Sequence, residues 1–149
     1  MIVKQRIGIV GAGMMGHGIA KTLVEKGFPL AVRGHRSRAP IDDLVGRGAT
    51  EVKTNADLAR ASDIVILCVT GAPQVEEVMF GPEGVASAAR PGTIVVDTST
   101  SEPATTAKMR EALAKQDVRF VDAPLARTPV EAEQGRLNTM VGADDATFA

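Results

Sequence analysis

The chain has 149 residues, and 44% of them are hydrophobic, which suits one domain with a single buried core. Its net charge of −1 gives no indication of the strongly basic face that nucleic-acid binding needs, and no apolar run is long enough to span a bilayer. The one cysteine, Cys68, cannot form an internal disulfide and fits a reducing compartment. We therefore expect a cytoplasmic domain with neither a nucleic-acid nor a membrane partner.

A short apolar strand at 7–10 runs directly into the pattern Gly-x-Gly-x-x-Gly, and a segment with helical periodicity follows. In such a unit the first glycine makes the turn, the second lets the backbone approach a diphosphate, and the third lets the helix pack against the strand. The helix N-terminus adds free N–H groups and a partial positive charge. The pattern favours a dinucleotide site over a glycine-rich turn without a ligand, and the predicted site residues are Gly11, Ala12, Gly13, Met14, Met15 and Gly16.

A second short strand, 29–32, leads into a basic segment that contains no carboxylate. In NAD-binding versions of this unit, an acidic residue about 20 residues beyond the glycines holds the ribose 2′-hydroxyl. A guanidinium suits a phosphate instead, so Arg36 and Ser37 predict NADP(H) in preference to NAD(H), with His35 near the adenine. A solvated basic loop is the alternative interpretation. The other histidine, His17, is expected to be exposed and to bind no metal.

Continuous apolar runs at 63–69 and 93–97 are typical of strands buried on both faces of a parallel sheet, and further strands are predicted at 118–121 and 137–141. Cys68 lies in the first of these runs and is interpreted as a core residue, not as a nucleophile. Helices are predicted at 41–45, 56–61 (with Asn55 as N-cap), 73–79, 85–90 and 103–116. This alternation predicts an α/β fold of the Rossmann type, a doubly wound, mainly parallel sheet with helices on both faces.

Separated motifs in this chain resemble, in the same order, those of the β-hydroxyacid dehydrogenase family. They are the glycine pattern at 11–16 with Ile19-Ala20, Asp97-Thr98-Ser99-Thr100 with Pro103, Asp122-Ala123-Pro124, and Ala132, Gly135, Leu137 and Met140-Val141-Gly142. The resemblance runs from residue 5 to residue 149 and covers only the family's N-terminal, cofactor-binding domain, which 6-phosphogluconate dehydrogenase also has.

The resemblance implies a role for each motif at the carboxyl ends of the strands. Residues 11–16 would hold the pyrophosphate, Val69 and Thr70 would lie along the cofactor, and Thr100 would contact its nicotinamide end. Relatives commonly carry Leu-Pro where this chain has Val69 and Thr70, so Thr70 departs from the family pattern.

After Asp-Ala-Pro, most relatives carry Val-Ser-Gly-Gly, whose last three residues bind the acid group of the substrate. This chain has Leu125 and then Ala126, Arg127 and Thr128, which are the implied substrate-binding residues. Arg127 can grip an oxyanion with two N–H groups, and Thr128 adds a hydroxyl. A similar Arg-Thr pair occurs in the sulfolactaldehyde reductase branch, so carboxylate, sulfonate and phosphate head groups all stay open. The alternative is that Arg127 is an ordinary surface residue.

The resemblance also implies a proton-transfer lysine in a Gly-x-x-x-Lys helix, whereas this chain has no lysine after Lys115. We expect that lysine, and an all-helical second domain that forms the homo-oligomer, to lie beyond residue 149. The expected function is the cofactor-binding part of an NADP(H)-dependent oxidoreductase that transfers a hydride between nicotinamide and a small 3-hydroxy acid or its semialdehyde. An imine reductase and a non-catalytic NADP(H)-binding module are the alternatives.

Overall fold

A parallel sheet of six strands lies at the centre of the computed structural model, which describes residues 3–34 and 36–149. The strands are β1 (Ile7–Val10), β2 (Leu30–Arg33), β3 (Thr50–Val52), β4 (Ile64–Leu67), β5 (Ile94–Asp97) and β6 (Arg119–Asp122). Their order across the sheet is β3-β2-β1-β4-β5-β6. β2 and β3 are therefore added on one side of β1, and β4 to β6 are added on its other side. The predicted doubly wound parallel sheet is therefore confirmed.

Helices cover both faces of this sheet and divide the core into two apolar layers. They are α1 (Met14–Glu25), α2 (Ala39–Gly46), α3 (Asn55–Arg60), α4 (Ala72–Phe80) and α5 (Pro103–Ala114). One layer contains Ile9 and Leu44 under α1 and α2, and the other contains Leu58 and Met109 under α3 to α5. The single core expected from composition is thus two layers, because a central sheet has two faces to bury.

Strand β1 supplies both layers because successive side chains of a strand point to opposite faces. Ile7 and Ile9 belong to the layer under α1 and α2, whereas Val10 belongs to the other. At Gly8 an added Cβ would lie 2.4 Å from Ser62 Oγ, so the chain after α3 packs directly on the strand backbone. Burial of each isoleucine contributes about 1.5–3 kcal/mol to stability, which holds the start of the sheet in place below the glycine turn.

Several predicted boundaries differ from the structure. Strand β3 was not predicted, and the predicted helix at 85–90 is only a 3-10 turn at Val85–Ser87. The predicted N-cap Asn55 is wrong, because Thr54 caps α3 by accepting a hydrogen bond from the Asp57 amide at 3.0 Å. Thr54 has the extended backbone that an N-cap residue adopts, and Asn55 is already inside the helix.

The last part of the chain forms a small unit beside the sheet rather than one more long strand. It contains β7 (Leu125–Ala126), α6 (Pro129–Glu133), β8 (Asn138–Thr139) and α7 (Asp145–Phe148). β7 and β8 pair antiparallel, so the predicted strand at 137–141 is reduced to two residues. α6 packs on α1 so closely that a Cβ added at Gly18 would lie 2.5 Å from the carbonyl carbon of Ala132. This contact places the loop after β6 beside the start of α1.

Within the described residues, no helix combines the length and apolarity needed to cross a membrane. The same part of the chain contains no group of three or more His, Cys, Asp or Glu side chains suited to holding a metal ion.

Candidate functional site

The turn between β1 and α1 has a geometry that requires glycine at two positions. Gly11 has φ +96°, and a Cβ there would lie 2.1 Å from the Cys68 carbonyl oxygen. A Cβ at Gly16 would lie 1.7 Å from the Gly11 carbonyl oxygen, so the first turn of α1 packs directly on the glycine turn. Side chains at these positions would separate helix from strand, as the sequence predicted.

Gly13, the N-cap of α1, has the opposite environment. A Cβ added there would meet no atom of the described residues within 4 Å, and the residue is exposed. Its surroundings leave room for a ligand at the amides of the first helical turn. Of the other predicted residues in this turn, Ala12 and Met15 are half-buried, whereas the Met14 side chain is 74% exposed beside the opening.

The end of β2 presents three arginines with different environments. Arg38 donates to both carboxylate oxygens of Glu51, one of them at 3.0 Å, and also to Asp42 at 2.9 Å. Arg33 donates to the Lys53 carbonyl oxygen at 3.3 Å. Arg36 and Ser37 are exposed, and Arg36 forms no ion pair with any described residue. The predicted contact residue His35 lies outside the described residues.

A hydrogen-bonded network ties together the loops that follow β4 and β5. The Asp97 carboxylate is completely buried and accepts hydrogen bonds from the Ser99 amide and the Ser101 hydroxyl, both at 2.9 Å. The Ser99 hydroxyl in turn accepts from the Val69 amide at 2.9 Å. These contacts hold Val69 in a defined position next to the exposed Thr70, and Thr100 is exposed on the adjacent loop.

Asp97 and Ser99 are site residues to which the sequence analysis assigned no role. Both lie in the Asp-x-Ser-Thr motif, but nothing in that motif shows which residue its serine contacts across the sheet. The β5–β6 register also pairs Asp97 with Asp122. The pKa of Asp122 is raised, mainly by burial and to a smaller extent by the charge of Asp97. Burial likewise raises the pKa of the Cys68 thiol, which is unfavourable for a thiolate nucleophile.

The predicted substrate residues occupy the β7–α6 turn. Ala126 pairs with Asn138 of β8, and Arg127 follows with φ +88°. Thr128 is the N-cap of α6, where its amide donates to Glu131 Oε2 at 3.1 Å and its hydroxyl donates to the same oxygen. The structure thus brings Arg127 to the turn and uses the Thr128 hydroxyl in the helix cap.

His17, expected to be exposed, instead connects three helices. Its ring nitrogens lie 2.5 Å from Glu133 Oε1 on α6 and 2.7 Å from Asp43 Oδ2 on α2, and its side chain is 20% exposed. Burial is the largest influence on the pKa of His17 and lowers it, but the hydrogen bonds that the ring donates to Glu133 and Asp43 together leave that pKa raised. No local sequence signal marks these two distant carboxylates as its partners.

Comparison with known proteins supports the dinucleotide interpretation. The family model for the NAD-binding domain of 6-phosphogluconate dehydrogenase matches residues 6–149. The 2-(hydroxymethyl)glutarate dehydrogenase of Eubacterium barkeri is 38% identical over 143 residues, which are 96% of this chain and 47% of that protein. The 2-hydroxy-3-oxopropionate reductase of Escherichia coli (strain K12) is 35% identical over 96% of this chain and 48% of its own length. The chain therefore spans about half the length of these relatives.

Solved structures share the architecture. A 3-hydroxyisobutyrate dehydrogenase from Salmonella typhimurium matches with a TM-score of 0.90 and 29% identity, over 97% of this chain and 50% of that one. Psf3, in complex with NADP+ and 2-OPP, matches with a TM-score of 0.88 and 29% identity, over 95% of this chain and 50% of its own. An imine reductase variant from Myxococcus stipitatus, in complex with NAD+, matches with a TM-score of 0.88 over 98% of this chain and 49% of the reductase chain. At 22% identity, this match shows a shared fold.

The open backbone at the start of α1, the strand order and the match over residues 6–149 agree with one another. The chain belongs to the β-hydroxyacid dehydrogenase family of oxidoreductases and is an NAD(P)-binding domain of the 6-phosphogluconate dehydrogenase type.

Proposed function

We propose that the chain is the NADP(H)-binding domain of an oxidoreductase that transfers a hydride between the nicotinamide and a small 3-hydroxy acid or its semialdehyde. The observation that carries the proposal is the pairing of two features at neighbouring strand ends. Gly13 after β1 leaves the helix amides open, and Arg36 after β2 offers a guanidinium that has no ionic partner among the described residues.

The pyrophosphate would lie on the amides at the start of α1, which match an anion in charge and in hydrogen bonding. Gly11 and Gly16 bring this helix end close to β1, while Gly13 leaves the approach open. Ala12, Met14 and Met15 complete the turn, with exposed Met14 at its rim. When bound, the nicotinamide supplies the hydride donor or acceptor, and the protein supplies binding and orientation.

The preference for NADP(H) over NAD(H) would come from Arg36 with Ser37, and His35 would lie near the adenine. Arg36 follows β2 in the region where a carboxylate binds the ribose of NAD in other dinucleotide-binding domains. Arg38 is already neutralised by Glu51 and Asp42, which leaves Arg36 to attract the 2′-phosphate. Psf3 was solved with NADP+ and the imine reductase variant with NAD+, so the fold accepts either nucleotide.

The nicotinamide end would lie along Val69, Thr70 and Thr100, at the edge where parallel strands present their carboxyl ends. The Val69–Ser99 hydrogen bond fixes the spacing between these two loops. The acid group of the substrate would be held at Ala126, Arg127 and Thr128, with Arg127 making the ionic contact and Thr128 keeping the start of α6 in place. The proton-transfer lysine and the oligomer-forming helical domain would be supplied by sequence outside these residues.

A charge reversal at Arg36 tests the cofactor assignment. In the full-length protein, Arg36→Asp should weaken NADPH binding at least about tenfold, which is about 1.4 kcal/mol, and leave NADH binding nearly unchanged. Arg60→Asp changes the net charge equally on the exposed side of α3 and should alter neither affinity. Isothermal titration of each variant with both nucleotides provides the measurement. An unchanged NADPH-to-NADH affinity ratio in Arg36→Asp would contradict the proposal.

An imine reductase is the second candidate, because Leu125 to Thr128 lacks the serine that the family uses at its substrate and because a protein of that activity has the same fold. Parallel assays of the full-length protein with NADPH, one set with 3-hydroxy acid semialdehydes and one with cyclic imines, separate the two activities. Turnover of the imines alone would overturn the hydroxy-acid assignment. Binding of NADPH without turnover of either class would favour a non-catalytic module.

A further inference from the structure

Arg127 has an unfavourable backbone conformation for a residue with a side chain. Its φ of +88° lies in the left-handed region that favours glycine. The other described non-glycine residues with positive φ, Glu83 at 52° and Asp117 at 55°, lie closer to the left-handed helical minimum. Such strain persists only where the surrounding structure holds it, and it is concentrated at binding sites.

The side chain of Arg127 is held by a neutral partner across the β7–β8 hairpin. With its amide oxygen facing the guanidinium, Asn138 accepts hydrogen bonds from Nε and Nη2 of Arg127, both at 3.2 Å. Asn138 is the β-pairing partner of Ala126, the residue before Arg127, so the hairpin register itself brings the two side chains together. The contact uses the Nε–Nη2 edge of the guanidinium, and Nη1 has no hydrogen-bond partner among the described residues, so it can donate to a ligand.

This neutral partner distinguishes Arg127 from the arginines that form ion pairs with described carboxylates, which are Arg6, Arg38, Arg47, Arg60 and Arg90. The closest candidate acid in sequence, Glu131, accepts hydrogen bonds from the amide and hydroxyl of Thr128 and forms no ion pair with Arg127. The Thr128 hydrogen bonds, and to a smaller extent the charge of Arg127, lower the pKa of Glu131. Asn138 therefore orients Arg127 without placing a carboxylate at ion-pair distance, which leaves the guanidinium charge available to an anion.

The hairpin that contains Arg127 and Asn138 is anchored beside the carboxyl ends of the parallel strands. Thr139 Oγ1 donates to the Ala123 carbonyl oxygen at 2.7 Å, directly after β6, and the Gly142 amide donates to the Asp122 carbonyl oxygen at 2.7 Å. Asp122 is in register with Asp97, the residue that organises the loop bearing Thr100. The guanidinium thus belongs to the same edge as the proposed nicotinamide end.

We propose that Arg127 and Asn138 form an oxyanion receptor in which Asn138 is a positioning residue and Arg127 binds through its free Nη1–Nη2 edge, held in a strained backbone conformation. The proposal rests on the function proposed above and names the partner that orients the substrate-binding arginine. The ligand is a small compound with a carboxylate or sulfonate group, two oxyanions that one guanidinium edge can bind through two N–H groups.

Substitution of Asn138 tests the positioning role. The full-length protein, loaded with NADP+, is titrated calorimetrically with 3-hydroxypropionate and with 2-hydroxyethanesulfonate. Wild type should bind at least one of them in the millimolar range or tighter. Asn138→Asp retains the acceptor for Nε and Nη2 but adds a negative charge, so it should bind that anion at least about tenfold more weakly while its thermal unfolding midpoint does not fall.

The Asp variant tests whether the partner that holds Arg127 must be neutral. If Asn138 only held the hairpin together and Arg127 bound no anion, Asp would replace it without loss of anion binding, and wild-type affinity in Asn138→Asp would overturn the proposal. Binding of NADP+ with no binding of either anion by wild type would also overturn it. Failure to bind NADP+ at all would instead contradict the proposed function, so the two failures are distinguishable.

A matched pair of substitutions tests the strain. Arg127→Gly and Arg127→Ala both remove the guanidinium, and both should lose anion binding at least about tenfold. Only glycine relieves the positive φ, so Arg127→Gly should unfold about 2–4 °C above Arg127→Ala, although glycine ordinarily destabilises a loop relative to alanine. Equal midpoints, or a higher midpoint for alanine, would overturn the strained conformation, and retained anion binding in either variant would overturn the receptor.

Discussion

At the scale of single residues, His17 shows how much of this site depends on contacts between distant parts of the chain. It lies on α1 between Asp43 of α2 and Glu133 of α6. Arg47 also pairs with Asp43 at 2.8 Å, and Lys21 lies 3.5 Å from Glu133, so the charges around the ring are mixed. His17 therefore links the glycine-rich helix to the helix that follows the proposed substrate turn.

The raised pKa of His17 predicts a pH dependence of stability. A group whose pKa is higher in the folded protein contributes stability that is fully present below its unfolded pKa, here about 6.5, and is lost as the pH rises through the folded value. The pKa of Glu133 is lowered by its His17 hydrogen bond, and the pKa of Asp43 is lowered by its hydrogen bonds with Arg47 and His17. The stability that these two carboxylates contribute is therefore lost only at acidic pH. The protein should therefore be less stable at about pH 8.5 than at about pH 6.

Denaturant unfolding from about pH 6 to 8.5 of wild type and His17→Gln measures this effect. Glutamine keeps a polar side chain but cannot become protonated, so the free energy of unfolding of His17→Gln should vary less with pH over this range. The difference between the two proteins isolates the contribution of His17. Identical pH profiles would show that the ring is not protonated between Glu133 and Asp43.

At the scale of secondary-structure elements, the packing of α6 on α1 determines where the proposed substrate turn lies. A Cβ at Gly18 would lie 2.5 Å from the Ala132 carbonyl carbon and 2.7 Å from the Glu133 amide nitrogen. These are backbone atoms of α6 and cannot rotate away as a side chain can. The two helices therefore touch backbone to backbone, and any side chain at Gly18 would push α6 and the turn before it outward.

Two glycine substitutions with opposite expected signs test this contact. Gly18→Ala should destabilise the protein by about 1–3 kcal/mol through overpacking, although alanine is the better helix former. In Gly46→Ala, at the end of α2, the new methyl group meets no atom within 4 Å in the described part of the chain and should stabilise the protein by about 0.5–1 kcal/mol. Thermal unfolding of both variants gives the comparison. A stabilised Gly18→Ala would contradict the close approach of α6.

The elements that sequence analysis predicted are those whose stability is visible locally. β1, β4 and β5 are apolar runs, and the glycine pattern defines the start of α1. β3 has three residues at the sheet edge, two of them exposed, so no hydrophobic pattern marks it. For α6 a signal was present, because Thr128-Pro129 followed by Glu131 is typical of a helix N-terminus.

The same distinction between local and long-range contacts applies to the candidate site. The roles of Gly11 and Gly16 follow from a motif in which sequence spacing determines geometry, and the structure confirms the close contacts at both. The partners of Ser99, Arg127 and His17 could not be predicted, because each contact joins elements that are brought together only by the folded sheet. Predictions about individual contact residues of the cofactor and substrate stay predictions.

At the scale of the whole molecule, one edge of the sheet collects the proposed binding residues. β1 and β2 end at the glycine turn and at Arg36, β4 and β5 end at Val69 and Thr100, and β6 leads to the Arg127 hairpin. Because all six strands are parallel, these ends lie on the same side of the molecule. The central claim is that the dinucleotide extends along this edge, with its diphosphate at the start of α1.

Titration of NADPH into full-length wild type, Gly13→Ala and Gly46→Ala tests this claim most directly. A methyl group at Gly13 meets no atom of residues 3–34 and 36–149 within 4 Å, so Gly13→Ala should fold normally, but it occupies the approach of the diphosphate. We expect at least about tenfold weaker NADPH binding by Gly13→Ala and wild-type binding by Gly46→Ala. Wild-type affinity for NADPH in a folded Gly13→Ala variant would contradict it.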